Sequence, residues 1–380
     1  MTIEKRKYQI CNNCVMDTSD SNITFNNKGI CEYCENFYKN ILPNWDTGEN
    51  GHEILMKKID KIKSDGKNKK HDCLIGISGG VDSSYLTYIA KEKLNLRPLI
   101  FHVDGGWNTQ IASNNIEKLV DHLKLDLHTE VINWPEMRDL QLSFFKAQVN
   151  TLDTPQDHAF FASLYNFASK YSFKYILTGA NFSTECVREP LEWNYHTSDL
   201  SQLKDIHNKF GKIKLETFPQ ADILKYKIYY RFVRGVRVVT PLNYIPYKKD
   251  EAINLLSKKF GWQKYAYKHH ESRFTKFYES YWLPKKFGFD KRRNQLSSLI
   301  LTEQMQRDEA LHIMSKSAYD QQTIDEDFEF IANKLDISIS ELQELFHGKN
   351  KTFKDYKNKM LLLTLGTRVM RLFGENRIIR

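Results

Sequence analysis

Short apolar runs alternate with helix-length amphipathic stretches over the middle of the chain. The apolar runs predict five strands, at 73–77, 98–103, 127–132, 174–178 and 236–240. The stretches 83–94 and 111–124 have helical spacing, and more helical sequence precedes the fourth strand. Strands separated by helices of this length form parallel sheets. The pattern therefore predicts an α/β fold, a parallel sheet with helices on both faces.

The regions outside this pattern differ from it. Residues 1–45 are rich in turn residues and cannot supply an apolar core of their own, while 188–230 is an aromatic and polar insertion without clean periodicity. After Tyr247 the sequence is almost all helical, with periodic stretches at 294–317, 324–334, 338–346 and 354–373. We therefore predict an N-terminal knuckle (1–50), an α/β domain that carries the insertion (51–260) and a mostly helical acceptor-binding region (261–380).

Composition narrows the class of protein. The chain has 380 residues, of which 41% are hydrophobic, so it can bury a sizeable core. Neither a signal-peptide run at the N-terminus nor an apolar stretch of membrane-spanning length is visible, and we expect a cytoplasmic protein without a membrane partner. The formal net charge of +9 favours anionic partners, either nucleic acid or a small phosphorylated substrate.

Four of the six cysteines form two CxxC pairs, Cys11/Cys14 and Cys31/Cys34, with sixteen residues between the pairs. This spacing is typical of a structural zinc site with four thiolate ligands and no open coordination position. The alternatives are four free buried cysteines or an iron–sulfur cluster, because spacing alone does not name the metal. We predict structural Zn²⁺.

The segment Ser78-Gly-Gly-Val-Asp-Ser-Ser84 lies between the first predicted strand and the first helix. At the carboxyl end of a parallel strand, glycines let the backbone close on an anion, while hydroxyls and the N–H groups of the helix start donate to its oxygens. A Walker A lysine and the GxGxxG pattern are both absent. The alternative is a glycine-rich turn that caps a helix without a ligand.

The string SGGVDSS resembles the PP-loop of the ATP pyrophosphatases, which cleave ATP between the α and β phosphates and adenylate a substrate oxygen. The resemblance implies an ATP site with Mg²⁺, in which Asp82 stabilises the loop or helps to hold the metal ion. It implies that the pyrophosphate is bound by the remaining loop residues, Ser78, Gly79, Gly80, Val81, Ser83 and Ser84.

Three further segments resemble other parts of that family's nucleotide site. Asp104, in Phe101-His-Val-Asp-Gly-Gly-Trp107, is the polar candidate beside the adenosine. Thr178-Gly-Ala-Asn-Phe-Ser-Thr-Glu185 resembles a segment that faces the nucleotide and the acceptor, through Gly179, Asn181 and Glu185. In Pro241–Glu251 the lysine that approaches the phosphates is Lys249, with Lys248 as the second choice.

A denser resemblance, to the N-acetyl sugar amidotransferases of bacterial surface-polysaccharide and flagellin-sugar biosynthesis, spans nearly the whole chain. The motifs that carry it are Cys-x-x-Cys-Val-Met-Asp-Thr (11–18), Asp153-Thr-Pro-Gln-Asp-His158, Lys268–Phe277, Leu283–Arg293, Leu296–Ile300 and Arg307–Leu311. The resemblance implies that ATP adenylates the acetamido oxygen of a sugar and that ammonia then displaces AMP, leaving an acetamidino group. It also implies a separate ammonia source, a glutaminase with a cyclase-like subunit similar to those of imidazole glycerol phosphate synthase.

The segment 268–293 concentrates basic and aromatic residues. Such a stretch can grip the diphosphate and uronate of a nucleotide sugar, or it can be a solvated basic face whose aromatic residues pack inward. The candidate substrate-binding residues are Lys268, His270, Arg273, Lys276, Lys291, Arg292 and Arg293.

The candidate acid–base groups are His158, His269 and His270, each of which can equally be a structural histidine. Glu185 and Glu271 are candidates to orient the acceptor or ammonia, or to pair with nearby arginines. The catalytic set that we predict is Asp82, Lys249, His158, Glu185, His269 and Glu271.

Two rival functions remain open. A tRNA-thiolating PP-loop sulfurtransferase needs a persulfide cysteine or a cluster, and only Cys73 and Cys186 remain after the zinc pairs. A non-enzymatic zinc-ribbon nucleic-acid binder would carry a degenerate loop, whereas SGGVDSS is intact. The leading interpretation is an ATP-dependent amidotransferase that has no nucleic-acid partner.

Overall fold

A computed structural model describes residues 6–265 and 270–365. Its centre is a five-stranded sheet in the order β3-β2-β1-β4-β5. All four pairings between these strands are parallel, so their carboxyl ends lie along one edge. The strands are β1 Cys73–Gly76, β2 Pro98–Asp104, β3 Asp126–Val131, β4 Tyr175–Leu177 and β5 Arg237–Val239. The predicted fold class is confirmed, and each strand lies within two residues of its predicted bounds.

Helices precede, connect and follow these strands. Those up to the end of the α/β part are α1 Glu32–Asn36, α2 Glu49–Asp65, α3 Val81–Tyr88, α4 Gln110–Leu123, α5 Trp134–Lys146, α6 Thr154–Lys170, α7 Phe182–Glu185, α8 Leu200–Phe210, a π-helix Lys225–Val233 and α9 Lys249–Phe260. Those that follow are α10 Arg273–Phe277, a π-helix Tyr278–Phe287, α11 Arg292–Leu301, α12 Arg307–Ser315, α13 Gln321–Leu335 and α14 Ile339–His347. No helix in the described ranges combines the length and apolar composition that a membrane crossing requires.

Two core clusters cover opposite faces of the sheet because neighbouring strand residues point to opposite sides. Leu74 joins the cluster that contains α5, α6 and α13. Cys73 and Ile75 join the cluster on the other face, with α2, α4 and α9. Since α10 and α13 share the first cluster, the helical C-terminal region is packed directly on the α/β core.

Three helix predictions need correction. The stretch 294–317 is two helices, since α11 ends at Leu301 and Glu303 adopts a left-handed φ of 57°. The stretch 354–373 begins as a 3₁₀ turn at Phe353–Asp355, and only 360–365 is helical within its described part. The insertion 188–230 is more regular than its composition indicated. It contains α8, where the Asp199 carboxylate accepts hydrogen bonds from the N–H groups of Ser201 and Gln202.

Candidate active site

The four cysteines of the knuckle converge on one point. All four are fully buried, and their Sγ atoms lie within 4.8 Å of one another. The Cys11–Cys34 and Cys14–Cys31 separations of 3.8 and 3.6 Å are too long for a disulfide. They match the spacing of about 3.8 Å expected for sulfurs on a tetrahedral zinc with Zn–S bonds of about 2.3 Å. The cluster can therefore hold zinc.

Backbone donors support thiolate ligands at this cluster. The N–H groups of Asn13 and Cys31 donate to Cys11 Sγ over 3.4 and 3.2 Å, and that of Met16 donates to Cys14 Sγ over 3.4 Å. Donors directed at a ligating sulfur stabilise its charged form. The four buried sulfurs can therefore act as the ligands of a metal ion, and the structural role of that ion stays a prediction.

The C-terminal helices hold the knuckle in place. Arg293 pairs with the buried Asp17 at 2.8 Å and donates to the carbonyl of Val15. Arg307 donates to the carbonyls of Cys11 and Cys14, the two residues of the first CxxC pair. Arg293 therefore has a structural role in the described chain, and its predicted contact with substrate stays a prediction.

The glycine loop follows β1 and leads into α3, as expected. Gly79 has a φ of 86°, and a Cβ there would lie 2.9 Å from the carbonyl oxygen of Ala112, so only glycine fits. No side chain caps the start of α3, which leaves its first N–H groups directed at the loop. These features are those of an anion-binding turn at the carboxyl edge of a parallel sheet.

The predicted segments 178–185 and 241–251 meet at this loop. A Cβ at Gly179 would lie 2.7 Å from the carbonyl carbon of Asp82, so the chain after β4 touches the loop. The Tyr247 hydroxyl donates to Asp82 Oδ1. Burial, followed by the charges of Asp82 and Glu185, raises the pKa of Tyr247 far above its usual range, so the phenol stays a donor. Asp82, Gly179 and Glu185 are thereby brought into one site.

Two aromatic residues beyond α9 contact the loop from the other side. The Trp262 indole N–H and the Tyr265 hydroxyl both donate to the carbonyl of Gly79, over 3.2 and 3.1 Å. Asn115 on α4 positions this segment by donating to the Gln263 carbonyl and accepting from its N–H. The start of the predicted acceptor region therefore shapes the loop.

Glu271 reaches the loop directly. Ser78 Oγ donates to its Oε1 over 3.1 Å, and a Cβ placed on Gly80 would lie 2.9 Å from the same oxygen. The main chain of Glu271 is fixed too, because its carbonyl accepts from both the N–H and the hydroxyl of Thr109. A carboxylate thus lies over the anion-binding turn, held by the segment that follows β2.

The other predicted nucleotide residues lie at the same edge of the sheet. Asp104 ends β2 and accepts hydrogen bonds from the Gly106 N–H and the Asn108 amide. Asn181 is fully buried and caps α7 by accepting from the Thr184 N–H. Lys249 opens α9, and its N–H donates to Gln304 Oε1. Their predicted contacts with ATP stay predictions.

The basic residues of 273–293 pair mainly with acidic groups of the protein. Asp327, whose side chain is only 1% exposed, accepts from Arg273 at 2.8 Å and pairs with Lys276 at 3.0 Å. Arg292 pairs with Asp290 at 2.7 Å and donates to the carbonyls of Ile313 and Lys316, at the C-terminal end of α12. Arg273, Lys276 and Arg292 therefore form internal ion pairs in this structure, and their predicted contacts with substrate stay predictions.

Lys291 is the most deeply buried of these cations, with 7% of its side chain exposed. It pairs with Glu279 at 3.1 Å and with Glu189 at 3.4 Å. Burial acts to lower the pKa of Lys291, but the two carboxylates outweigh it and hold that pKa well above its usual range. The ammonium stays charged. It links the start of α11 to the π-helix Tyr278–Phe287 and to the chain after α7.

The three candidate acid–base histidines differ in their surroundings and in whether the structure describes them. Both ring nitrogens of the buried His158 are used, Nδ1 with the Thr197 carbonyl and Nε2 with the Ala221 N–H, and burial lowers its pKa. His270 contacts Ser280 Oγ through Nε2 over 3.2 Å. Lys268 and His269 lie outside the described residues. His158 thus has the contacts of a neutral structural histidine, and its predicted catalytic role stays a prediction.

The part of the chain that begins at Glu271 has a recognisable relative. Residues 271–370 match the family model described as the C-terminal domain of WbpG-like LPS biosynthesis proteins. Over these residues the chain is similar to WbpG-like C-terminal domains. The resemblance to a surface-polysaccharide family, predicted from motifs in this region, is confirmed over these residues. Because Glu271 is the first residue of the match, the WbpG-like domain contributes a carboxylate to the glycine loop.

Other similarities are weaker. An uncharacterized protein of Methanocaldococcus jannaschii, MJ1599, is 29% identical over 120 residues, which are 31% of this chain and 40% of that protein. The NH3-dependent NAD synthetase of Campylobacter jejuni aligns with a TM-score of 0.32 at 15% identity, over 79% of this chain and 98% of that one. The U34-tRNA thiolase NcsA of Methanococcus maripaludis aligns with 0.27 at 13%, over 56% and 66%. TM-scores this low carry no argument about function.

Several residues that shape the site were not predicted. Tyr247 lies inside the segment from which Lys249 was chosen, but a tyrosine two residues from a lysine gives no signal of its own. Trp262 and Tyr265 follow α9 in a short aromatic stretch without periodicity. Glu189 and Glu279 resemble ordinary surface carboxylates in the sequence, and only the fold brings them to Lys291.

Proposed function

We propose that this protein is an ATP-dependent amidotransferase that converts the acetamido group of an N-acetyl sugar into an acetamidino group, with release of AMP and pyrophosphate. The sugar is a nucleotide sugar or a nonulosonic acid precursor used in surface-polysaccharide or flagellin-glycan biosynthesis. Ammonia comes from a separate glutaminase with a cyclase-like subunit.

The observation that carries this proposal is the meeting of the glycine loop with the WbpG-like domain. Glu271 of that domain contacts Ser78, and Trp262 and Tyr265 hold the Gly79 carbonyl. An anion-binding turn that a segment similar to polysaccharide-biosynthesis proteins contacts through Glu271 fits an enzyme that transfers the adenylyl group of ATP to a sugar. Fold alone would not indicate the acceptor.

The chemistry follows from the difficulty of the reaction. An amide carbonyl is a poor electrophile without a leaving group, so its oxygen first attacks the α-phosphorus of ATP and pyrophosphate departs. Ammonia then adds to the carbon, and the C–O bond breaks as AMP leaves with the former acetamido oxygen. The loop residues Ser78 to Ser84 would bind the pyrophosphate, and Asp82 and Glu185 are the carboxylates that would hold the Mg²⁺ of ATP, a hard ion that prefers oxygen ligands.

The lone cysteines argue against sulfur transfer. Burial raises the pKa of Cys186 to about 12, and burial raises the pKa of the fully buried Cys73 as well. A persulfide carrier needs an accessible thiolate, and neither residue has the environment that produces one.

The test supplies purified protein with ATP, Mg²⁺, ammonia and a panel of UDP-linked, CMP-linked and free N-acetyl sugars. Mass spectrometry should find one sugar lighter by the difference between an oxygen atom and an NH group, and AMP should form in equal amount. AMP should not form without the acceptor. Consumption of ATP with every sugar unchanged would overturn the proposal, and activity lost in Cys186→Ser with tRNA as acceptor would favour the thiolase instead.

A further inference from the structure

An exposed apolar face lies along the π-helix Lys225–Val233 and the adjacent strand β5. Its side chains are between 41% and 67% exposed, and they recur at helical spacing on one side. They are Leu224, Ile228, Tyr229, Phe232, Val233 and Val238. We call this the 224–238 face. Large apolar side chains grouped in this way on a surface mark a binding site for another macromolecule.

The same segment is strongly basic. Between Ile223 and Val239 the chain has five lysines and arginines and no aspartate or glutamate. The basic residues are Lys225, Lys227, Arg231, Arg234 and Arg237. An apolar centre with a basic rim is complementary to a partner with an apolar centre and an acidic rim.

The structure favours a protein as the occupant. Four of the six side chains are aliphatic and cannot stack on bases as single-stranded nucleic acid requires, and only Tyr229 and Phe232 are aromatic. β5 is the last strand of the sheet, so one side of its backbone pairs with no strand among the described residues. The unpaired N–H and C=O groups of an edge strand can form hydrogen bonds with a strand of another polypeptide, whereas lipid cannot form such a ladder.

The face also adjoins a cavity. Tyr226, on the same π-helix, lines a cavity of about 150 Å³ together with His158 and Tyr165 of α6. That volume exceeds the roughly 30 Å³ that one water molecule occupies, so ammonia fits. In the first turn of α6, the Gln156 amide donates to Thr275 Oγ1, and Thr275 lies four residues after Glu271.

We infer that the 224–238 face docks an acidic partner protein, the ammonia-supplying subunit, and that ammonia enters beside Tyr226. The identity of the partner rests on the proposed function, but the docking face does not. None of the six side chains of the face is among the residues placed in the site, so the face can be altered without changing those residues.

The experiment uses the full chain with Ile228→Glu and Phe232→Glu together. Binding to the purified glutaminase and cyclase-like subunits is measured by calorimetry, and turnover is measured with glutamine and, separately, with free ammonia. We expect binding and glutamine-dependent turnover to fall by about tenfold or more, the usual effect of losing central interface side chains. Turnover with free ammonia should be unchanged. The control is Val131→Glu, a 70% exposed side chain on β3 at the opposite edge of the sheet, which should leave both activities and binding intact.

Three results would overturn the inference. The double variant could bind the subunits as tightly as the wild type, or it could lose free-ammonia turnover together with glutamine-dependent turnover. The wild type alone could sediment with vesicles of phosphatidylglycerol and lose this in the double variant, which would assign the face to a membrane surface. Because binding is measured without catalysis, a wild type that binds the subunits but aminates no sugar would refute the proposed function and leave the docking face supported.

Discussion

The glycine loop and the basic segment 273–293 both contain the residue types that bind anions, but the structure uses them differently. In the loop, no side chain caps the first N–H groups of α3. The neighbours Trp262, Tyr265 and Glu271 contact the turn, and none of these three is a cation. In the basic segment, Arg273 and Lys276 are already paired with Asp327, and Lys291 with Glu279. A motif that depends on local backbone geometry predicts the local turn well, whereas a local excess of charge does not predict which groups the charges pair with.

The largest expected effect tests the loop. Asp82→Ala should lower acceptor-dependent AMP formation by about 10²-fold or more, the scale of losing a group that stabilises charge in the transition state. Tyr247→Phe is the matched control, because it removes only the hydroxyl that donates to Asp82, and it should lose less activity. Activity of Asp82→Ala equal to that of the wild type, measured by AMP release, would show that the loop acts without this carboxylate.

The second-largest effect is expected at the knuckle, where Arg293 of the basic segment pairs with Asp17. Cys31→Ser should lose the bound metal and lower the melting temperature, because structural zinc binding contributes directly to folding free energy. Elemental analysis of the wild type should give one zinc per chain. Iron with acid-labile sulfide would instead assign the site to a cluster. Cys186→Ser, outside the four-cysteine site, is the control and should keep the zinc.

A smaller effect separates structural from substrate-binding roles in the basic segment. Asp327→Asn leaves Arg273 and Lys276 without their shared carboxylate and should cost about 1–3 kcal/mol of unfolding free energy, between the values for exposed and buried pairs. Asp325→Asn on the exposed side of the same helix should cost much less. If the two cations instead bind substrate, Asp327→Asn will change KM for the sugar while denaturant unfolding stays as in the wild type.

The smallest effect is a pH dependence. Burial lowers the pKa of His158 below its usual 6.5, so below pH 6.5 the unfolded chain takes up a proton that the folded protein does not. Stability should therefore fall as the pH drops from 6.5, by up to about 1.4 kcal/mol per pH unit from this group. His158→Gln should show a shallower fall between pH 6.5 and 5, and the exposed His122→Gln should not. A catalytic base would instead give a shifted pH profile of kcat/KM at unchanged stability.

The contrast between loop and segment also explains what the sequence could predict. The inner strands β1 and β4 were predicted within two residues because parallel strands buried on both faces are continuous apolar runs, as at Cys73–Gly76 and Tyr175–Leu177. The zinc site was predicted because each CxxC pair is local and the two pairs lie sixteen residues apart. Of the three predictions that needed correction, 294–317 depends on a left-handed Glu303 and the insertion depends on the Asp199 cap.

The pairing of side chains could not be predicted in the same way. Arg273 and Asp327 are fifty-four residues apart, and Arg293 and Asp17 are further apart still. Nothing near either arginine distinguishes an internal partner from a substrate phosphate. His158 has the same difficulty, because its two partners, Thr197 and Ala221, lie in the insertion whose structure the sequence did not reveal.

The contacts of Trp262, Tyr265 and Glu271 with the glycine loop have a consequence for modularity. A fragment that ends at Phe260 would contain the whole sheet and the intact SGGVDSS string, yet it would lack every one of these three side chains. Residues 51–260 therefore do not form an independent unit that could be joined to a different C-terminal region without changing the surroundings of the loop. A chimaera would need to include the residues up to Ser272 together with the loop, because three side chains that contact the loop lie after Phe260 in the sequence.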